Sequence, residues 1–179
     1  MKLFLLFIST SILLLCCKTE NSRHIDKNDQ IEFNIDSTLF NFEKVDTFLN
    51  VKLPYLKDWI INENLIKKDS AKVIITHPDS LLWVEVENFE QRSPNSYKYY
   101  NNLYGNGELV LKMLDISSFL KNDKKIIQVI LKDTHHINFK LIEDINGISK
   151  EVNIFIPIPN YTDSNIKIVE SIIGVIEFI

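Results

Sequence analysis

The sequence is poor in the residues that usually announce chemistry. Among 179 residues there are only four glycines, five prolines and two cysteines. So few glycines cannot furnish most glycine-dependent motifs, and no Gly-x-Ser-x-Gly, P-loop or dinucleotide fingerprint occurs. The two cysteines, Cys16 and Cys17, are adjacent, so the chain beyond them has neither a disulfide framework nor a thiolate metal site. Its stability must come from an ordinary apolar core. Positive charge is in deficit: 20 Lys+Arg stand against 24 Asp+Glu, for a formal net charge of −4. Nucleic-acid binders carry basic stripes, so nucleic acid is not an expected partner.

What is present begins at the amino terminus. Lys2 precedes an apolar or weakly polar run from Leu3 to Leu15, which the polar stretch from Lys18 ends abruptly. The run has the length of a signal-peptide core and falls short of the roughly 20 residues needed to cross a bilayer as a helix. Residues 1–16 therefore read as a signal peptide outside the fold. The segment Leu14-Leu15-Cys16-Cys17 resembles the lipobox of bacterial lipoprotein precursors, Leu-x-small-Cys. With Cys17 as acceptor, Leu14 sits three positions before it and small Cys16 precedes the cut. Cys16 as acceptor would put bulky Leu15 where a small side chain belongs. The resemblance implies a lipid on Cys17, with palmitate-type acyl chains holding the protein to a membrane of the cell envelope. The domain would then face the periplasm or the outside. At about 0.8 kcal/mol per buried CH₂, several chains make detachment negligible.

Residues 17–39 hold the lipidated cysteine and a polar stretch that reads as a flexible tether, and a coil of ~20 residues reaches roughly 25 Å. From Phe40 to Ile179 the chain is continuously patterned, as one globular domain. Leu49, Val51 and Leu53 alternate with Asn50 and Lys52 up to Pro54, predicting a half-buried strand. Trp59-Ile60-Ile61 predicts another. Ala71 to Thr76 and Leu82 to Phe89 predict strands joined by the turn His77-Pro78-Asp79-Ser80. Ser93-Pro94 resembles a helix start, and Leu109, Met113, Ile116 and Leu120 recur at helical spacing, so two helices are predicted between Ser93 and Leu120. Lys125 to Leu131 and Ile137 to Ile142 read as strands. Asn146-Gly147 then signals a hairpin, with Ile148 to Ile158 returning. Thr162 or Asp163 caps a last helix. Lys167, Glu170, Ser171 and Gly174 form its narrow polar stripe, and Ile166, Val169, Ile172, Ile173 and Ile176 its wide apolar face.

The opening Val51-Lys52-Leu53-Pro54 … Trp59 and the closing Glu170-Ser171-Ile172-Ile173 helix after Pro159 resemble the PsbP-like superfamily. That superfamily includes the extrinsic photosystem II protein and many bacterial lipoproteins. The resemblance covers about Phe40 to Ile179. It implies an α+β fold: a mainly antiparallel sheet with helices packed on both faces, an α/β/α sandwich. It also implies an accessory or binding role, with no shared catalytic residues.

The candidate sites are sparse. His135 and His136 are neighbours, and on a strand they would point to opposite faces, so they cannot both grip one metal. His77 and Asp79 offer half a metal site without a third ligand at suitable spacing. Glu85 and Glu87 share a strand face with Trp83. Paired carboxylates can act as acid and base, but same-face charges on a strand are usually its solvated side. Tyr97, Tyr100 and Tyr104, with Tyr99 beside them, make an aromatic stripe on a helix. Such rings cover a sheet or form a partner surface. The expectation is a membrane-anchored, non-enzymatic binding or accessory module without cofactor or metal. Its partners would be the membrane, through Cys17, and an envelope protein. The other class is an envelope hydrolase with scattered site residues.

Overall fold

Alternating burial organises most of the described residues into strands. The computed structural model describes residues 33–63, 70–89, 111–145 and 148–179. Within them every strand pairing is antiparallel. A three-stranded sheet has the order β1 (Phe40–Phe48), β2 (Val51–Leu56), β10 (Glu177–Phe178). A seven-stranded sheet runs β3 (Ile60–Glu63), β4 (Ser70–Thr76), β5 (Trp83–Phe89), β9 (Ile148–Pro157), β8 (His136–Ile145), β7 (Lys124–Lys132), β6 (Lys112–Lys121). One α-helix, α1 (Asp163–Val175), follows β9 and leads into β10.

β9, the middle strand of the larger sheet, shows how period-two patterning makes the core. Val152, Ile154 and Ile156 are fully buried and cluster with Val169, Ile172 and Ile173 of α1 and with Val51, Leu53 and Phe178 of the smaller sheet. Each such side chain contributes roughly 1.5–3 kcal/mol on burial. A smaller cluster of Ile116, Ile127, Val129, Leu131 and Ile142 lies on the opposite face of β6, β7 and β8. α1 is capped by the Thr162 hydroxyl, which accepts from the Asn165 amide at 3.3 Å. The buried Asn165 side chain in turn donates to the Asn160 carbonyl at 2.7 Å.

The architecture differs from an α/β/α sandwich. The described residues hold a single α-helix and two sheets, so among them helices do not cover both faces. The helix predicted over Leu109 to Leu120 is strand β6 from Lys112 on, its first two residues lying outside the described set. A bulge between Met113 and Asp115 shifts the strand by one residue, so that Met113 and Ile116 reach the same apolar cluster three positions apart. Phe119, not the Leu120 of the helical spacing, packs into the main core on the other face. The predicted helix beginning at Ser93 lies outside the described residues. Leu49 is a turn residue: Leu49 and Asn50 have φ of 49° and 65°, the paired positive values of a two-residue hairpin. Its side chain still packs against the core, which explains its strand-like pattern. Pro54 does not end a strand but lies inside β2. Ile166 is only half-buried, and Ser171, read as part of a polar stripe, is fully buried. β8 and β9 are adjacent and antiparallel, pairing up to Ile145 and Ile148, with residues 146–147 outside the described set.

Candidate functional site: a groove at the end of the helix

Pro54 has no N–H to donate, and opposite it β1 departs from regular pairing. Asn41 faces Tyr55, but Val45 already faces Pro54, so β1 carries extra residues in a bulge. The Asn41 Oδ1 accepts from the Glu43 amide at 3.1 Å and braces that bulge. As a result Phe42 and Val45 both turn outward, each 51% exposed. Lys44 reaches back, its Nζ 4.1 Å from the centre of the Tyr55 ring.

These side chains form one wall of a groove of about 540 Å³. Lys52 and Pro54 of β2 continue that wall, Gly174, Val175 and Glu177 supply the helix end, and Lys121 with Asn122 closes it from the β6–β7 hairpin. Asn122 and Asp123 have φ of 51° and 61°, again a two-residue turn. Lys121 Nζ donates to the Ile173 carbonyl at 2.6 Å and the Gly174 carbonyl at 2.7 Å. A cation there satisfies two terminal acceptors and meets the negative end of the helix dipole. Burial pushes this ammonium down to about 8, and Glu177 opposes the shift.

The residues singled out from sequence fall elsewhere. Glu85 and Glu87 do share a face, but Lys72 bridges them: its Nζ contacts Glu85 and lies 3.0 Å from Glu87. Burial draws the Lys72 ammonium down, and the two carboxylates outweigh it, leaving the group above the ordinary lysine value. Glu85 also accepts from the Trp83 indole at 2.9 Å. The pair is an internal ion cluster at the rim of an aromatic patch, where Trp83 stacks on Phe155 at 5.0 Å and meets His136 edge-on at 5.1 Å. His77 Nδ1 accepts from the Asp79 amide at 3.1 Å, so that pair closes its own turn. His135 and His136 both donate their backbone N–H to Asp133, at 2.6 Å each. Among the described residues no three His, Cys, Asp or Glu side chains group to hold a metal. Cys17 and the Tyr97, Tyr99, Tyr100 and Tyr104 stripe lie outside the described residues. The groove itself was missed in sequence. Its only local signal was Pro54 facing a strand with apolar side chains three apart, Phe42 and Val45.

The fold has a known counterpart: among the described residues, two antiparallel sheets and one helix take an arrangement similar to that of PsbP. Cyanobacterial PsbP (CyanoP) from Synechocystis sp. PCC 6803 superposes with a TM-score of 0.55 over 76% of this chain and 92% of that one, at 7% sequence identity. Identity this low speaks for the fold alone. A Bacteroides thetaiotaomicron protein aligns at a TM-score of 0.37 and 15% identity, covering 73% of this chain and 45% of that protein. Neither a family model nor a curated protein matches the sequence. Among the described residues no helix is long and apolar enough to cross a membrane.

Proposed function

We propose that this chain is a membrane-anchored lipoprotein of the bacterial cell envelope that acts as a non-enzymatic binding or accessory module. The Leu14-Leu15-Cys16-Cys17 box after an apolar run supports the anchor. The binding role rests on one observation: the open groove presents apolar side chains to solvent. By contrast, the carboxylates that could have served as acid and base are tied to lysines. Glu85 and Glu87 hold Lys72, and Glu151 holds Lys140. Apolar concavities with a few polar groups at the rim are where binding modules take their ligands.

The anchor is tested by labelling cells with palmitate. The natural chain should take up label, Cys17→Ser should lose it and accumulate as precursor, and Cys16→Ala should keep it. Label persisting in Cys17→Ser would remove the lipid from Cys17.

A further inference from the structure

The chain enters the described domain beside the groove. Phe33, where the described residues begin, packs edge-on against Phe119 at 5.5 Å, and Lys121 Nζ lies 5.8 Å from the Phe33 ring. A Cβ on Gly174 would lie 2.8 Å from the Phe33 Cβ and 2.9 Å from the Ile35 Cγ1. Lys121 and Gly174 are themselves groove residues, so the point of entry and the groove share a wall. Residues 18–32 separate Phe33 from Cys17. A stretch of that length spans about 20 Å as a coil and about 50 Å at full extension.

A lipid on Cys17 therefore tethers the domain at its groove side. The strand edge at β3 lies at the other end of the larger sheet from β6, whose last residue is Lys121. At the groove mouth stand Phe42 and Val45, and Ile35, 41% exposed, lies against Gly174. Lys44 and Lys52 are exposed beside them, interleaved with Glu43 and Glu177. Apolar side chains flanked by lysines whose stems can lie along a surface are suited to the boundary between headgroups and acyl chains. A patch this small would bind a free bilayer weakly. On a tether it works at the high effective concentration that the anchor imposes, so weak contacts suffice.

Resting on the lipoprotein reading, we infer that the Phe42–Val45 face docks onto the bilayer that carries the anchor. Phe42 and Val45 enter the headgroup–acyl boundary. The domain thus lies on its membrane in one orientation.

The full chain, processed in a bacterial host, is reconstituted in phosphatidylcholine–phosphatidylglycerol vesicles. An environment-sensitive fluorescent amino acid is incorporated at position 45 in one sample and at position 60 in another, with nitroxide-labelled lipids as quenchers. Ile60 is the control because it is 55% exposed on β3. Quenching should be about twofold stronger at 45 than at 60, with a blue-shifted emission, as for a side chain in the interface. Phe42→Asp should return the probe at 45 to the value at 60. Equal quenching at the two positions overturns the inference. So does a probe at 45 that is shielded from water yet untouched by the lipid quencher, because a protein would then fill the groove. Palmitate uptake is read on the same samples. Label without differential quenching refutes the docking face and leaves the anchor; differential quenching without label removes the anchor and keeps the face.

Discussion

Asp133 shows how much one side chain organises here. Its Oδ1 accepts the backbone N–H groups of His135 and His136, and its Oδ2 lies 3.4 Å from His136 Nδ1. This closes the turn between β7 and β8 and lets the Asp133 amide reach the His136 carbonyl at 3.0 Å. Slight burial raises the carboxyl, but those donors outweigh it and hold the group below the ordinary aspartate value of 3.8. A carboxylate whose folded value is depressed stabilises the fold fully above its unfolded value and loses that contribution as pH falls through the folded one. Titration of Asp133 by NMR should therefore show a midpoint below 3.8, and Asp133→Asn should flatten the acid limb of the stability curve. A midpoint at or above the ordinary aspartate value would mean that the turn does not favour the charged form.

At the scale of elements, the sharpest feature is the close approach of α1 to the entering chain. Gly174 admits Phe33 and Ile35 against the helix because it has no Cβ. One turn earlier, the Ser171 hydroxyl accepts from the Asp36 amide at 2.9 Å. The end of the stretch read as tether is thus docked on α1. Gly174→Ala would gain up to about 1 kcal/mol of helix propensity, but overpacking costs about 1–3 kcal/mol. A net loss of about 1 kcal/mol is expected in thermal melting, with faster hydrogen exchange at the Asp36 amide. A more stable variant with unchanged exchange would show that residues 33–36 do not rest there. β6 teaches the complementary lesson. Its apolar residues serve two faces and a bulge shifts their phase, so their spacing imitates a helix in the sequence.

Across the whole molecule, a buried carboxylate joins the two sheets. Glu143 on β8 is 1% exposed and lies 3.0 Å from Lys124 on β7 and 3.4 Å from Lys150 on β9. Lys124 also donates to the Phe178 carbonyl at 2.6 Å, and Lys150 donates to the Ile179 carbonyl. The larger sheet thereby grips the strand that completes the smaller one. Removing one partner of such a buried cluster typically costs about 3–5 kcal/mol. Because the Lys124 side chain is 32% exposed, the lower end of that range applies, and Glu143→Gln should lose about 3 kcal/mol in denaturant unfolding. An effect within about 0.5 kcal/mol would place the cluster with ordinary surface pairs, whose worth is that small.

The sequence by itself determined the strands with strict two-residue alternation, such as Leu82, Val84 and Val86. It determined the closing helix with Val169, Ile172 and Ile173 inward, and pointed to a likeness with the PsbP fold while overstating its helices. These are local matters: side-chain period and capping are set by residues within one or two turns of each other. Only the tertiary structure decided that Met113, Ile116 and Phe119 belong to a bulged strand, that Ser171 is buried and that Lys72 occupies the Glu85–Glu87 pair. It alone also brought Phe42, Lys121 and Gly174 to one groove. Each of these depends on partners far away in the chain, Ser171 and Asp36 being 135 residues apart, and on a bulge that reverses the inward or outward sense of every residue after it.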